Sequence, residues 1–155
     1  MKKIKISLIV LLLVLVTGCG TGTLASADGV YKCKREGEIE NGTTSLNYKV
    51  YYEGDYVTIL ESIEEIRSDS KEVLDTYEKA YRKIFANYDG LEYYENTITR
   101  DDNSVTSTTS INYAKIDIDK LLEIEGSEGN PVKDGKLKVV DWMEFAKKYG
   151  VVCDK

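Results

Sequence analysis

Hydrophobic and polar residues alternate in several short runs after residue 29, and this alternation is typical of half-buried β-strands. In the clearest run, 44–53, the residues on one face are Leu46, Tyr48, Val50 and Tyr52. The same pattern predicts strands at about 30–36, 44–53, 55–66, 91–100 and 104–113, with a turn region at 36–42. Short turns at Gly54 and Asp102 join two pairs of strands, so we expect one antiparallel sheet.

Two longer segments repeat their hydrophobic residues every three or four positions, as amphipathic helices do. The first, at about 70–87, begins with the pattern of a capping box at Asp69 and Glu72 and ends near Gly90. Four of its residues are expected to pack on the sheet: Leu74, Tyr77, Tyr81 and Phe85. The second helix is predicted at 139–149, after a short helix at 117–124 and a polar loop. Its candidate packing residues are Val140, Met143, Phe145, Ala146 and Tyr149, with Trp142 or Phe145 helping to close the core.

These elements predict an α+β fold. We expect a two-layer domain in which an antiparallel sheet of about five strands is packed by a central helix and a C-terminal helix. One face or edge of the sheet would stay open in this arrangement, and a partner is expected to bind there.

The beginning of the chain follows a different pattern. Three lysines precede an apolar run at 6–16, which is much shorter than the roughly 20 residues that span a bilayer. Gly18 and Cys19 close this run, and the whole looks like a bacterial lipoprotein signal peptide with its lipobox. We expect residues 1–18 to be removed, Cys19 to carry lipid, 19–28 to form a flexible tether and 29–155 to form a single domain. The alternatives are an ordinary secretory signal, an uncleaved anchor and a buried helix.

A lipid anchor on Cys19 would place the domain on the extracytoplasmic face of the cell membrane, since two acyl chains are enough for stable anchoring. The net charge of −6 becomes about −9 once the lysines of the signal are removed. This acidity argues against binding to nucleic acid and against the domain lying on an anionic leaflet. Solubility alone would also explain it.

Cysteine and histidine counts limit the chemistry further. After Cys19, the chain holds Cys33 and Cys153, an even pair that predicts a disulfide bond in an oxidising compartment. Two buried free thiols are the alternative. Histidine is absent, which excludes Ser-His-Asp and Cys-His nucleophile systems and histidine-containing zinc sites. We expect no metal or other cofactor.

Several segments carry a family resemblance. They are 48–57 (YKVYYEGDYV), 88–93 (YDGLEY), 111–121 (INYAKIDIDKL) and the signal with its cysteine. Together they resemble the YehR-like family of small bacterial lipoproteins, over roughly residues 29–150. The resemblance implies an α+β domain with an antiparallel sheet. It implies no active site, because the family has no assigned activity.

Twelve tyrosines and several carboxylate clusters are the remaining candidates for function. Tyrosines could line a groove for an amphipathic ligand, or they could serve as strand residues at the edge of the core. The carboxylates lack the spacing of a calcium loop. We therefore expect a non-enzymatic domain that binds an envelope protein or a small ligand. The alternative is a small cell-envelope hydrolase that uses two carboxylates.

Overall fold

The computed structural model describes residues 27–154, so the predicted signal peptide and Cys19 lie outside the described residues. The strands are β1 (Gly29–Ile39), β2 (Gly42–Glu53), β3 (Tyr56–Arg67), β4 (Tyr94–Arg100), β5 (Ser104–Asn112), β6 (Val132–Lys133), β7 (Lys136–Leu137) and β8 (Val152–Asp154). The helices are α1 (Lys71–Phe85), α2 (Ile118–Glu125) and α3 (Val139–Lys148), and a 3₁₀ turn at Ala86–Tyr88 follows α1.

Six strands form one antiparallel sheet in the order β4-β5-β3-β2-β1-β8, and β6 and β7 pair separately. The predicted α+β fold is therefore confirmed, with both predicted hairpins in the same sheet. The sixth strand is the short C-terminal β8, which pairs with Lys32–Lys34 of β1.

Two strand boundaries differ from the prediction. β1 continues through the predicted turn region to Ile39. Glu36 and Glu38 are exposed there, whereas Gly37 and Ile39 are partly buried, so the alternation of the strand is unbroken. The turn to β2 needs only two residues, and Asn41 takes a left-handed φ of 59° there. β4 begins at Tyr94 rather than at 91, because Leu91 turns into the core and Tyr93, at φ 67°, redirects the chain.

The start of α1 also differs from the predicted capping box. The N-cap is Ser70, whose side chain accepts a hydrogen bond from the Val73 amide at 3.4 Å. The cause lies in Ser68, whose buried hydroxyl donates to the carbonyl of Asn41 and accepts from the Ser70 amide at 3.0 Å. This contact between the β1–β2 turn and the segment before α1 fixes the chain so that Ser70, and not Asp69, takes the capping position.

α3 is rotated relative to the prediction. Its buried face consists of Val139, Trp142 and Ala146, whereas Val140 and Tyr149 are 64% and 58% exposed. The rotation is set where the helix begins, because the Val139 amide donates to the carbonyl of Asp55 at 2.9 Å. This bond to the β2–β3 turn directs Val139 inward, and residues three and seven positions further on follow it.

The three helices lie on the same face of the sheet, called here the inner face. The predicted packing of α1 is confirmed: Leu74 and Tyr81 are buried against Ile66 and Val105, and Tyr77 and Phe85 pack around them. α3 packs on Val50 and Leu60 through Trp142 and Ala146, and Leu121 of α2 packs near Ile111. The opposite face, called here the open face, carries no helix among residues 27–154 and exposes Ile63. No helix in this range is both long and apolar enough to cross a membrane.

Candidate functional site

The register of β2, β3, β5 and β4 arranges the inner face in four cross-strand rows. The first row is Val50, Leu60, Ile111 and Tyr94, and the fourth is Thr44, Ile66, Val105 and Arg100. The two middle rows are Tyr48, Ser62, Thr109 and Asn96, then Leu46, Glu64, Ser107 and Ile98. α2 and α3 cover the first row and α1 covers the fourth, so the more polar middle of the sheet lies between the helices.

A cleft of about 310 Å³ opens over these middle rows, and we call it the inner cleft. Its floor is formed by strand residues Leu46, Tyr48, Leu60, Ser62, Glu64, Ser107, Thr109 and Ile111. Its walls are formed by Phe85, Tyr94, Tyr113, Glu125, Asn130, Pro131, Trp142 and Phe145. Mainly apolar and aromatic walls with a few polar groups are typical of small-molecule sites.

The polar floor is held in place by Asn96. Its side-chain amide donates hydrogen bonds to the hydroxyls of Ser107 at 3.0 Å and of Thr109 at 2.8 Å. Both hydroxyl residues are buried, and a buried polar group that lacks a partner is costly. The bonds therefore hold these two hydroxyls in fixed positions beneath the cleft.

Aromatic rings line both sides of the cleft. The rings of Tyr48 and Trp142 meet edge to face with their centroids 5.2 Å apart, which joins β2 to α3. On the opposite side, Tyr94 stacks on Tyr88 with their centroids 4.2 Å apart. Trp142 is only 4% exposed, so its indole is set firmly into the wall.

Two carboxylates, Glu64 and Glu125, line the inner cleft. Glu125 accepts hydrogen bonds from the Asn130 side-chain amide at 2.9 Å and from the Tyr88 hydroxyl at 3.4 Å. Desolvation raises the pKa of the Glu125 carboxyl, and these two bonds offset part of the rise. The residue as a whole is exposed, and these two bonds hold its carboxyl in place.

The tyrosines near these carboxylates stay neutral. Burial raises the pKa of Tyr113, and the charge of Glu125 raises it further. The same two causes raise the pKa of Tyr88 to about 12. The hydroxyl of Tyr81, a residue that is 7% exposed, is buried without a hydrogen-bond partner. Its pKa is raised by burial and then by the charge of the neighbouring Glu64 carboxylate.

Basic side chains are absent from the lining of the inner cleft in the part of the chain that the structure describes. The guanidinium of Arg35 lines an adjoining groove of about 280 Å³, which shares Tyr48 and Trp142 with the inner cleft. Its Nη1 donates to the carbonyl of Tyr149 at 3.4 Å, just beyond the end of α3.

The predicted disulfide is present, with Cys33 and Cys153 bonded and their Cα atoms 3.9 Å apart. These residues belong to the core under α3 and do not line the inner cleft. Cys19 lies outside the described residues. Among residues 27–154, no group of three or more cysteine or acidic side chains is placed to hold a metal ion.

Sequence reasoning identified the tyrosines and carboxylates as classes but did not identify which of them meet. Tyr94 faces the inner cleft, while its neighbour Tyr93 is exposed. Glu64 in β3 and Glu125 at the end of α2 line the same cleft although they lie far apart in the sequence. One signal was available: Ser62 and Glu64 interrupt the apolar series of inner-face positions between Leu60 and Ile66.

No family model and no curated protein matches the chain. Two solved structures are similar to it. The NMR structure of the Escherichia coli YehR protein is 20% identical with a TM-score of 0.60, over 83% of this chain and 93% of that one. The NMR structure of a protein from Streptococcus pneumoniae TIGR4 is 15% identical with a TM-score of 0.55, over 99% and 98%. At these identities the likeness supports a YehR-like fold and carries no activity to this chain.

Proposed function

We propose that this chain is a lipid-anchored binding domain on the extracytoplasmic face of the cell membrane, and that it holds a small ligand in the inner cleft without transforming it. In this proposal residues 1–18 are the signal peptide, Cys19 is the acylated residue and 19–28 tether the domain to the membrane. The export pattern of the first nineteen residues supports the location.

One observation carries the binding role: the middle of the inner face is polar and stays uncovered between helices that bury both of its ends. A domain selected for stability alone would be expected to fill such a position with apolar side chains, since buried apolar area stabilises the fold. Fixed hydroxyls below and aromatic rings at the sides are instead suited to a small ligand with both polar and apolar parts.

The test is to purify the full chain from its native envelope in mild detergent and to identify bound small molecules by native mass spectrometry. Ser62→Phe places a ring in the cleft floor, and Ser110→Phe places the same ring on the open face as a matched control. We expect the wild type and the control to carry a small molecule that S62F lacks. An empty wild-type protein, or equal occupancy in S62F, would contradict the binding role.

The same spectra test the anchor. The mature protein is expected to begin at Cys19 and to carry the mass of a diacylglyceryl group. An unmodified protein that begins at another residue would contradict the proposed lipidation and leave the question of the cleft unaffected.

A carboxylate-based hydrolase is the second candidate, because Glu64 and Glu125 line the same cleft. A raised pKa at one carboxyl is a property of general acids in such enzymes, and Glu125 has one. Incubation with purified envelope polysaccharide distinguishes the two functions. The binding proposal predicts no new reducing ends, whereas release that is lost in Glu125→Gln would favour the hydrolase.

A further inference from the structure

We propose that the ligand of the inner cleft is a small organic cation with an ammonium group. This inference rests on the proposed binding function and specifies its ligand class. Its basis is the combination of two carboxylates with a set of aromatic rings around one cleft.

The inner cleft is lined by acidic and not by basic side chains among the described residues. The charged residues that line the inner cleft are Glu64 and Glu125. Within residues 27–154, neither carboxylate forms a salt bridge with a lysine or arginine. Arg35 is held at the end of α3 through Tyr149, in the neighbouring groove. A ligand in the cleft therefore meets two carboxylates that have no ion-pair partner within this range, although the charge of Arg35 reaches Tyr48 and Tyr81 from the adjoining groove.

A second, independent observation concerns Tyr81. Its side chain is more than nine-tenths buried, and its hydroxyl has no hydrogen-bond partner beside Glu64. Buried hydroxyls normally find a partner, so an unpartnered one next to a cleft residue is unusual. Tyr81 is not among the residues that line the inner cleft, so its hydroxyl can act on a ligand only through the Glu64 carboxylate.

The aromatic walls provide the third step. Tyr48, Phe85, Tyr94, Tyr113, Trp142 and Phe145 all line the inner cleft. The faces of such rings attract ammonium groups, and aromatic cages are a recurring site for quaternary ammonium ligands. The pKa values of Tyr88 and Tyr113 are raised, so both hydroxyls stay neutral and the negative charge at the cleft comes from the two carboxylates.

The experiment uses the single tryptophan of the chain, Trp142, as the reporter, because it lies in the cleft wall. The full-length protein is titrated with choline and with butylammonium, which carry a quaternary and a primary head group. Dimethylbutanol, in which carbon replaces the choline nitrogen, is the neutral isostere. Sodium chloride at equal concentration controls for ionic strength.

We expect saturable changes in Trp142 fluorescence with at least one of the two cations. Dimethylbutanol is expected to bind about tenfold more weakly than that cation, or weaker still. Glu64→Gln and Glu125→Gln are each expected to weaken cation binding by a similar factor. Glu36→Gln, an exposed carboxylate on the open face, is expected to leave it unchanged.

Equal binding of the neutral isostere, unchanged affinity in both glutamine variants, or no saturable response to either cation would overturn the inference. The proposed binding function is judged separately. If native mass spectrometry finds a neutral or anionic molecule that S62F loses, the cleft is a binding site and only the assigned ligand class is wrong.

Discussion

Cys33 and Cys153 are direct cross-strand partners in β1 and β8, and their disulfide bond attaches the C-terminal strand to the first one. The two residues are 120 positions apart, and the chain-entropy model assigns a loop of that length about 4–5 kcal/mol of stability. We expect the double variant Cys33→Ala/Cys153→Ala to lose up to this amount in urea-unfolding experiments. Reduction of the wild type should cause a similar loss. Labelling of either thiol in denatured, unreduced wild-type protein would contradict the bond.

The start of α1 allows a comparison between two adjacent residues. Ser70→Ala removes the hydroxyl that accepts from the Val73 amide, and the loss of such a cap costs about 1 kcal/mol. Asp69→Ala serves as the control, because Asp69 is exposed and is not the N-cap residue. Its effect on the free energy of unfolding is expected to stay within about 0.5 kcal/mol. A larger loss in the Asp69 variant than in the Ser70 variant would show that the predicted capping box is correct after all.

This difference shows where sequence patterns stop being informative. The alternation that predicts β2 and the spacing that predicts Leu74 and Tyr81 are local, so both could be identified from the sequence. The position of the cap depends on Ser68 meeting Asn41, a contact between residues 27 positions apart. No local pattern records such a contact.

The same limit applies to the candidate site. The fold class follows from the periodicity of each segment, but the inner cleft depends on strand register and on the rotation of α3. Glu64 faces inward because of its place in β3, and it lines the same cleft as Glu125 only because α2 returns to the sheet. The inward turn of Trp142 follows from the bond between Val139 and Asp55. These are tertiary relationships, which a single sequence does not display.

Core packing under α1 is expected to dominate the stability of the helix layer. Leu74 is fully buried against Ile66 and Val105, so Leu74→Ala should lower the free energy of unfolding by about 2–5 kcal/mol. Val140→Ala is the control, because Val140 was predicted to pack and is 64% exposed. It should change stability by less than about 0.5 kcal/mol. A substantial loss in V140A would contradict the rotation of α3.

Two carboxyl groups are expected to titrate in opposite directions from their ordinary values. Desolvation raises the pKa of Glu125 above 4.5, while the Lys120 amide at the start of α2 lowers the pKa of Asp117 below 3.8. Carboxyl NMR titrations of the wild type check both values, and Glu125→Gln identifies the higher one. The reverse order would contradict the packing around Glu125.

These shifts have opposite effects on stability. The contribution of Glu125 to the free energy of unfolding is present below pH 4.5, because the folded state favours the protonated carboxyl. This contribution is lost as the pH rises through the raised pKa. The contribution of Asp117 is present above 3.8 and is lost as the pH falls through its lowered pKa. In urea-unfolding experiments, the free energy of unfolding should therefore decline less with rising pH in E125Q than in the wild type.

Chemical-shift mapping distinguishes binding in the inner cleft from binding on the open face. The labelled protein is mixed with a water-soluble extract of its native envelope, and the spectra are compared with those of S62F. We expect shifts at the Trp142 indole and at the methyl groups of Leu46, Leu60 and Ile111, and no such shifts in S62F. Shifts centred on Ile63 and the rest of the open face, with the cleft signals unchanged, would contradict it and would place the partner on the uncovered side of the sheet.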